Sequence, residues 1–330
     1  MGLLFTIVLI FAVGCNKSDS SAAPTSLKEL RLGYFANATH GQAVLGVDSG
    51  EFAKAIAPAE IKTKVFNAGP SLIEALFAGE IDVGYVGPGP TLSAHEKSKG
   101  QGIRVISGAA ADGVVIVARK DSGIETLKDL VGKKIATPQR GNTQDIAARH
   151  YLTAVLGQKD HDNILAIANA EQSGMMARGE IDVAWAPEPW GARLVAETGG
   201  KIIAEEKDLW PNHDFSLTVL VTTPAFAKEH PDALRKILAV HQQWTRRLNT
   251  DLATQLPLLE SALFKLTNKQ LPPGVLADAI KRVKFTDDPL METFQTMGQW
   301  AYDLQFAQQP PKLDNLFDLT IAKQLRDPSH

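Results

Sequence analysis

The sequence predicts an α/β protein of two similar lobes, joined by a hinge at which the chain crosses twice. The first observation is a twelve-residue segment, 79–90, that recurs one hundred positions later at 179–190 with the same Gly-Glu-Ile-Asp-Val start. Each copy follows a short helical stretch and contains a Gly stop, a buried strand and a Pro-rich turn. The second observation is that strand-like and helix-like segments alternate from Leu30, which is typical of largely parallel sheets. A unit repeated once at domain-sized spacing favours two lobes, whereas closely spaced copies would indicate a solenoid.

The first series of elements begins at Leu30. Short apolar runs indicate its strands, and two capping-box spacings, Thr39 with Gln42 and Ser71 with Glu74, mark helix starts. The predicted elements are strands 30–34, 61–66 and 81–86, helices 41–56, 71–78 and 90–97, and apolar β-branched runs at 103–107 and 113–118.

A second series then starts over at Leu127. Asn142 and Asp145 have the spacing of a helix cap and its partner, and the run at 216–222 gives a strong strand signal. The predicted elements are a helical turn 127–130, a strand 134–136, a helix 142–156, the second repeat copy, a run at 202–205, a strand 216–222, and helices 231–251, 274–284 and 289–308.

This order predicts a discontinuous first lobe, made of residues 30–115 and 218–330, and a second lobe of residues 116–217. The chain crosses once near 113–120 and returns near 216–222, and two crossings side by side make a hinge. Two independent serial domains are the alternative that chain order alone leaves open.

Composition excludes several classes of function. The 330 residues suffice for two domains, and the apolar fraction of 44% and charged fraction of 22% are those of an ordinary globular protein. The net charge of −3, without a basic run, argues against nucleic-acid binding. An anionic ligand therefore has to be held by local groups, because the overall field does not attract it.

The N-terminus has the features of a lipoprotein signal. An uncharged apolar stretch at 2–14 ends in small residues before Cys15, which a polar segment follows. We predict a signal peptide at 1–14, lipidation of Cys15 in a bacterial lipobox, and a flexible tether at 15–29. A plain secretory signal with an incidental cysteine is the alternative. No other stretch is long and apolar enough to span a bilayer.

Catalysis, metal binding and cofactor binding find no support in the motifs. Cys15 is the only cysteine, and no two of the eight histidines have the i, i+4 spacing of a helical metal site. There is no nucleophile elbow, Gly-x-Gly-x-x-Gly segment or Walker loop. Asp82 and Asp182 form a repeated carboxylate pair, but as shared fold elements they are interpreted as structural. We predict no catalytic residue, no metal and no cofactor.

Loops that follow the predicted strands are the candidate binding sites. In an open α/β sheet, ligands bind at the carboxyl ends of strands, where helix N-termini present free N–H groups that suit anions. Such loops recur in both series, although any one of them has the alternative interpretation of an ordinary helix cap. The uncharged donors in these loops, which suit a small oxyanion, are Asn37, Gln42, Thr91, Asn142, Thr143 and Gln144.

The second repeat copy ends in a different set of side chains. Trp185 and Trp190 flank Glu188, and either indole is a candidate wall of a ligand pocket or a core residue. Glu188 would repel an anion, so its alternatives are to accept from an amine, to cap a helix or to pair with a basic residue.

Several segments together resemble ABC-transporter solute-binding proteins for nitrate, taurine and aliphatic sulfonates. The similarity covers about residues 30–231, and the segments that carry it are 33–42, 85–88, 136–145, 187–190, 222–226 and 229–231. The resemblance implies a two-lobed type II periplasmic-binding fold and no enzymatic activity. It also implies that four loops line the ligand cleft, and the candidate residues in them are Asn37, His40, Gln42, Gly87, Pro88, Thr91, Asn142, Thr143, Gln144, Glu188 and Trp190.

The resulting hypothesis is a monomeric, lipid-anchored receptor in the cell envelope. It captures a small oxyanion, an organosulfonate in the first place, and hands it to a permease and ATPase complex. One alternative is a receptor for an uncharged heterocycle such as a thiamine-pyrimidine precursor. A related enzyme on the same fold, a pyrimidine synthase, is a further alternative, but the cysteine-rich motif of those synthases is absent. The last alternative is a binding lobe that serves a sensor or partner protein without transport.

Overall fold

Two mixed sheets organise residues 27–326, which are the residues that the computed structural model describes. Aliphatic and β-branched side chains dominate the strands because they pack well on a pleated, buried surface. The strands are β1 (Glu29–Phe35), β2 (Glu60–Phe66), β3 (Val83–Val86), β4 (Arg104–Asp112), β5 (Val114–Ala118), β6 (Ile135–Thr137), β7 (Ile164–Ala166), β8 (Val183–Pro187), β9 (Lys201–Glu205), β10 (Ser216–Thr222) and β11 (Val283–Phe285).

Helices cover the faces of both sheets, as expected where parallel strands are joined by crossover connections. Short 3₁₀ turns at Ala38–His40, Leu127–Leu130, Glu206–Leu209 and Ile280–Arg282 complete the connections. The helices are α1 (Gly41–Asp48), α2 (Glu51–Ile56), α3 (Gly69–Phe77), α4 (Pro88–Lys97), α5 (Thr143–His150), α6 (Asn169–Ala177), α7 (Trp190–Thr198), α8 (Pro224–Glu229), α9 (Pro231–Thr250), α10 (Leu252–Thr267), α11 (Val275–Ala279), α12 (Met291–Asp303) and α13 (Thr320–Arg326).

The first lobe is built around a six-stranded sheet in the order β11-β4-β10-β3-β1-β2. β1 runs parallel to β2 and β3, whereas β10 is antiparallel to β3 and β4. The second lobe is built around a five-stranded sheet in the order β7-β6-β8-β5-β9, in which β6 is parallel to β7 and β8. β3 and β8, the strands of the two repeat copies, both lie inside their sheets, so the predicted two-lobed α/β architecture is confirmed.

The chain passes between the sheets twice within the described range. Gly113, with φ of +76°, separates β4 in the first sheet from β5 in the second. The return segment, residues 206–215, separates β9 from β10. The two crossings touch, because Asp112 donates its backbone N–H to the Phe215 carbonyl at 3.1 Å. Adjacent crossings of this kind form a hinge.

Several predicted helices differ from the structure. The predicted helix 41–56 is two helices, since the chain turns at Gly50 with φ of +73°. The predicted helix 142–156 changes to a π-helical turn at Tyr151–Val155, and the predicted helix 274–284 ends in β11. Strand β7 and helices α10 and α13 are absent from the prediction. The break at Gly50 has a local cause, whereas β7 and β11 form because they pair with strands that are distant in sequence.

Two of the three predicted helix caps are also wrong. The Thr39 and Gln42 spacing lies in a 3₁₀ turn, and α3 begins at Gly69, before Ser71, with no side-chain cap. Only Asn142 caps as predicted, since its Oδ1 accepts the Asp145 N–H at 2.9 Å. At the start of α3, Pro70 has no N–H group, so one of the donors that a cap would satisfy is absent.

The repeated aspartates fasten the strands of both copies to a neighbouring strand. Asp82 accepts from the backbone N–H of Arg31 at 2.8 Å and from its guanidinium at 2.6 and 3.0 Å. Asp182 accepts from the Arg119 guanidinium at 2.9 Å and from the backbone N–H of Lys134 at 3.1 Å. The shared part of the repeat therefore builds the fold.

The predicted signal peptide, Cys15 and most of the predicted tether lie outside the described residues. Within residues 27–326, none of the helices combines the length and apolar character that crossing a membrane requires. In the same range no group of three or more His, Cys, Asp or Glu side chains is placed to hold a metal ion.

Candidate functional site

A small chamber lies between the two lobes. Its volume is about 30 Å³ with the lobes in contact, room for one small group. The strand ends β1, β3 and β8 and the starts of α3, α5 and α6 surround it. The lining residues are Phe35, Asn37, Thr39, His40, Asn67, Ala68, Gly69, Gly87, Pro90, Pro138, Asn142, Thr143, Gln144, Asn169, Pro187, Leu217 and Thr218.

All four of the predicted loops reach this region, but not every predicted residue faces it. The predicted residues that line the chamber are Asn37, His40, Gly87, Asn142, Thr143 and Gln144. Those that do not line it are Gln42, Pro88, Thr91, Glu188 and Trp190.

The predicted residues outside the chamber support the loops around it. Gln42 donates to the Ala109 carbonyl at 2.7 Å, and Thr91 donates its hydroxyl to the Gly87 carbonyl at 2.8 Å. Pro88 is the first residue of α4, where its fixed φ suits a helix start. These three side chains are therefore engaged in holding their own loops.

Glu188 combines two of its three anticipated roles. Its Oε2 accepts the backbone N–H of Ala192 at 3.0 Å in the first turn of α7, and its Oε1 pairs with Arg282 Nε at 2.6 Å. The carboxylate is fully buried, and burial raises its pKa although the Arg282 charge opposes that rise. Because Glu188 is neutralised by Arg282 and lies outside the chamber, it does not repel an anion there.

Helix starts from both lobes converge on the chamber. The first N–H groups of α3, α5 and α6 have no partner within their own helices and favour negative charge. Helix α4 contributes differently, because prolines occupy positions 88 and 90 and the Gly89 N–H donates to the Thr143 hydroxyl at 3.3 Å. That hydrogen bond is a direct contact between the two lobes.

The amide of Asn37 is oriented by Trp190. The Trp190 indole N–H donates to Asn37 Oδ1 at 2.7 Å, and both side chains are buried. An indole nitrogen can only donate, so the Asn37 oxygen must face Trp190. The Asn37 NH₂ group is consequently the one left for the chamber.

The amide of Gln144 is oriented by a similar chain. Asn142 Oδ1 is occupied by the backbone N–H of Asp145, so the Asn142 NH₂ faces Gln144 and donates to its Oε1 at 2.9 Å. The Gln144 NH₂ is then free to face the chamber, at the start of α5.

The amide of Asn169, at the start of α6, is also oriented by a chain of hydrogen bonds. Gln172 donates from Nε2 to the Ile167 carbonyl at 2.9 Å, which fixes its orientation because a carbonyl only accepts. The same NH₂ group donates to Asn169 Oδ1 at 3.3 Å. The NH₂ group of Asn169 is thus left for the chamber.

His40 presents a donor as well. The backbone N–H of Phe35 donates to His40 Nδ1 at 3.3 Å, and the two rings stack with centroids 4.4 Å apart. Burial lowers the pKa of His40 to about 3, so the ring is neutral at physiological pH. Since Nδ1 accepts, the proton resides on Nε2, which is a donor.

Uncharged donors therefore define the chemistry of the chamber. The Thr218 hydroxyl is buried and has no hydrogen-bond partner in the described part of the chain. Among the described lining residues, none is Asp, Glu, Lys or Arg. Donors whose own acceptors are occupied match a ligand that only accepts, and helix N-termini supply the positive potential. A small oxyanion has these properties.

Asn169, Thr218 and Asn67 are lining residues that the sequence analysis did not single out. Asn169 starts a helix after strand β7, which was not predicted, so its loop was not recognised. Thr218 lies within β10, where an alternating pattern gives no hint that one position faces another lobe. For Asn67 the signal was available, because it follows a predicted strand and precedes a predicted helix.

A larger groove of about 690 Å³ adjoins the chamber, and Pro90 lines both. Its walls include Phe77, Ile146 and Phe306, and its rim carries charges of both signs, such as Glu74. Its described lining is a mixture of apolar and charged side chains, whereas uncharged donors with engaged acceptors line the chamber. The chamber is accordingly the better defined candidate site.

Two curated relatives match most of the chain. The chain is 26% identical over 315 residues to the "Putative aliphatic sulfonates-binding protein" of Bacillus subtilis (strain 168), which covers 92% of this chain and 89% of that protein. It is 26% identical over 234 residues to the "Taurine-binding periplasmic protein" of Escherichia coli (strain K12), which covers 68% of each.

The fold also matches solved structures. The alkanesulfonate-binding protein SsuA from Xanthomonas axonopodis pv. citri, bound to MOPS, superposes with a TM-score of 0.72 at 20% identity, over 88% of this chain and 98% of that one. This similarity shows the two-lobed periplasmic-binding-protein fold that the resemblance implied. The model of the NMT1-like family matches residues 23–257. Because this match covers more than half of the 330 residues of the chain, the chain belongs to the NMT1-like family.

Proposed function

We propose that this chain is the solute-binding component of an ABC import system, and that its ligand is a small oxyanion, in the first place a sulfonate. The observation that carries the proposal is the set of oriented donors in the interlobe chamber: Asn37, His40, Gln144 and Asn169 each have their acceptor engaged elsewhere. The names of the two curated relatives, one for aliphatic sulfonates and one for taurine, support the same ligand class.

Closure of the lobes accounts for binding. Only contacts that form with ligand present shift the balance between open and closed states. In the closed state, donors of the first lobe, such as Asn37, and of the second, such as Gln144, face one chamber. A sulfonate has three acceptor oxygens, so it can take donors from both lobes at once.

The remaining features of the proposal concern placement. We place the first lobe at residues 30–113 and 216–326 and the second at 114–215, which moves the bounds expected from the sequence by two residues, because β5 lies wholly in the five-stranded sheet and β10 wholly in the six-stranded one. The protein works as a monomer in the cell envelope, on the periplasmic side, and delivers its ligand to a permease and ATPase complex. Lipidation at Cys15 holds it at the membrane by the tether that follows.

Calorimetric titration of the purified chain tests the ligand class. We expect methanesulfonate, taurine or nitrate to bind, and an uncharged aminopyrimidine not to bind. If only the aminopyrimidine gives heat, the ligand is an uncharged heterocycle and not an oxyanion. If none of the compounds gives heat, both ligand classes are contradicted.

A single hydroxyl tests the site. Thr218→Val removes the unpartnered donor at nearly constant shape, so we expect the dissociation constant of the anion to rise about tenfold, the value of a hydrogen bond to a charged group. Thr222→Val on the same strand is the matched control, because its hydroxyl donates to the Asp82 carbonyl at 2.7 Å and does not line the chamber. It should lower stability and leave the dissociation constant unchanged. Equal binding by wild type and Thr218→Val would move the site away from the chamber.

A further inference from the structure

We propose that Trp190 is a positioning residue that makes the chamber select a ligand head group without donors, such as a sulfonate group. From the second lobe it fixes the amide of Asn37 in the first, so that an acceptor-only oxyanion is preferred over an isosteric ligand that carries N–H groups. This inference rests on the proposed function, since it concerns the same chamber.

The contact between these two residues joins the lobes. Asn37 follows β1 of the six-stranded sheet, and Trp190 follows β8 of the five-stranded sheet. The bond from Trp190 Nε1 to Asn37 Oδ1 measures 2.7 Å, and the two side chains are only 8% and 6% exposed. Asn37 lines the chamber whereas Trp190 does not, so Trp190 acts on a ligand only through Asn37.

The indole is held firmly where it is. The Glu188 carboxylate caps the first turn of α7 and pairs with Arg282, and the Glu188 carbonyl accepts the Ala38 N–H at 3.1 Å. Gly191, which directly follows Trp190, packs so closely on Val115 that a side chain at position 191 would collide with it. The start of α7 therefore has little freedom, and Trp190 dictates the Asn37 rotamer.

Orientation of this amide decides between two ligand classes. With its oxygen bound to Trp190, Asn37 can only donate to a ligand. If the amide turned over, its oxygen would repel a sulfonate oxygen and would accept from a sulfonamide N–H. The donor set is also complete only when the lobes are closed, because the orienting bond crosses between them. Ligand selection and closure are thus coupled through one hydrogen bond.

Trp190→Phe tests the inference with methanesulfonate and methanesulfonamide as probes, by calorimetry on the full chain. The substitution removes the indole N–H and keeps an aromatic ring. We expect the affinity for methanesulfonate to fall about tenfold, and the preference for it over methanesulfonamide to fall at least as much. The matched control is Trp244→Phe, because the Trp244 indole N–H is buried without a partner among the described residues. It should leave both quantities unchanged.

A double-mutant cycle with Asn37→Ala separates positioning from packing. Once Asn37 is removed, Trp190→Phe should have no further effect on the preference between the two probes. Equal effects in both backgrounds, or an unchanged preference in Trp190→Phe, would overturn the inference while the proposed function stands. Failure of the wild-type chain to bind methanesulfonate, taurine and nitrate would overturn both.

A second variant covers the case in which Trp190→Phe does not fold. Asn37→Asp keeps an acceptor for the indole and turns a carboxylate oxygen toward the chamber. We expect methanesulfonate binding to weaken by about a hundredfold or more, because two acceptors then face each other. Binding equal to that of the wild type would show that this face of residue 37 does not meet the ligand, which would overturn the inference.

Discussion

Glu206 is a buried carboxyl group held by two indole rings. It is fully buried, and it accepts the indole N–H of Trp185 at 2.6 Å and that of Trp210 at 3.2 Å. Burial raises the pKa of Glu206 to about 7, although the two indole bonds oppose this rise. Glu206 begins the return crossing between the sheets, and burial likewise raises the pKa of Asp112, at the other crossing, to about 6.

Glu206 and two histidines act in opposite directions on stability. Between its ordinary pKa of 4.5 and about 7, folded Glu206 retains a proton that the unfolded chain has released, so this contribution to stability is lost as pH rises. Burial lowers the pKa of His40 to about 3 and that of His241 to about 4. The unfolded chain protonates these rings below pH 6.5, and the folded chain does not, so their effect favours folding as pH rises.

We therefore expect Glu206→Gln to change how stability depends on pH. Removing this raised carboxyl group leaves the two histidines less opposed, so the free energy of unfolding should rise with pH more steeply than in the wild type. The slope should increase by about 1.4 kcal/mol per pH unit between about pH 5 and 6.5. Urea unfolding at several pH values measures it. The exposed Glu229→Gln serves as the control, and parallel curves for wild type and Glu206→Gln would show that Glu206 does not titrate in this range.

At the scale of elements, the start of α5 contributes both to the stability of the fold and to the candidate site. Its N-cap Asn142 holds the Asp145 N–H and orients Gln144, while Asp145 and Arg149 form a buried pair at 3.0 Å one turn apart. The same residues thus start the helix and aim a donor into the chamber. Sequence spacing revealed the cap, but the aimed donor depends on the amide chain that the fold creates.

Asn142→Ala should affect both stability and binding. Losing the cap costs about 1 kcal/mol of unfolding free energy, and Gln144 loses the bond that fixes its amide, so anion affinity should fall several-fold. Thr223→Ala is the matched control, because the Thr223 hydroxyl caps α8 by accepting the Phe226 N–H at 3.2 Å. It should cost similar stability and leave affinity unchanged. Equal affinity in the two variants would show that Gln144 is oriented without Asn142.

At the scale of the whole molecule, several contacts tie the lobes together besides the hinge. Glu188 of the second lobe pairs with Arg282, which adjoins β11 of the first sheet. Helix α12 packs on both α4 and α5, where Trp300 stacks on His150 with ring centroids 4.2 Å apart. The C-terminal helices therefore do not pack on the first lobe alone, because α12 also covers the second.

Arg282→Met should show how much the ion pair between Glu188 and Arg282 contributes to stability. It leaves the fully buried Glu188 carboxylate without its counter-charge, and breaking a buried pair in this way costs about 3 kcal/mol or more of unfolding free energy. Adding Glu188→Gln should recover part of the loss. Arg178→Met provides the comparison, since its pair with Glu180 is exposed and contributes little. Denaturant unfolding measures all four proteins, and a loss as small as that of Arg178→Met would show that the Glu188 charge is compensated elsewhere.

Much of the fold could be predicted from the sequence because its signals are local. The repeat at 79–90 and 179–190 predicted two similar lobes, and the strand at 216–222 has the predicted bounds. The break at Gly50 was missed although its signal is local, since a glycine with positive φ ends α1 there. The short strand β7 was missed because its pairing with β6, distant in sequence, decides it.

The sequence by itself determined the α/β class, the two-lobed resemblance and the loops that meet at one rim. Only the tertiary structure decided which side chains face the chamber. His40 and Gln42 belong to one predicted loop, yet His40 lines the chamber, and Gln42, in the first turn of α1, binds the Ala109 carbonyl. Asn37 and Trp190 are 153 positions apart, and their bond forms only where the two lobes meet. Periodicity and spacing describe neighbours along the chain, whereas the direction of an amide is set by donors that packing brings from elsewhere.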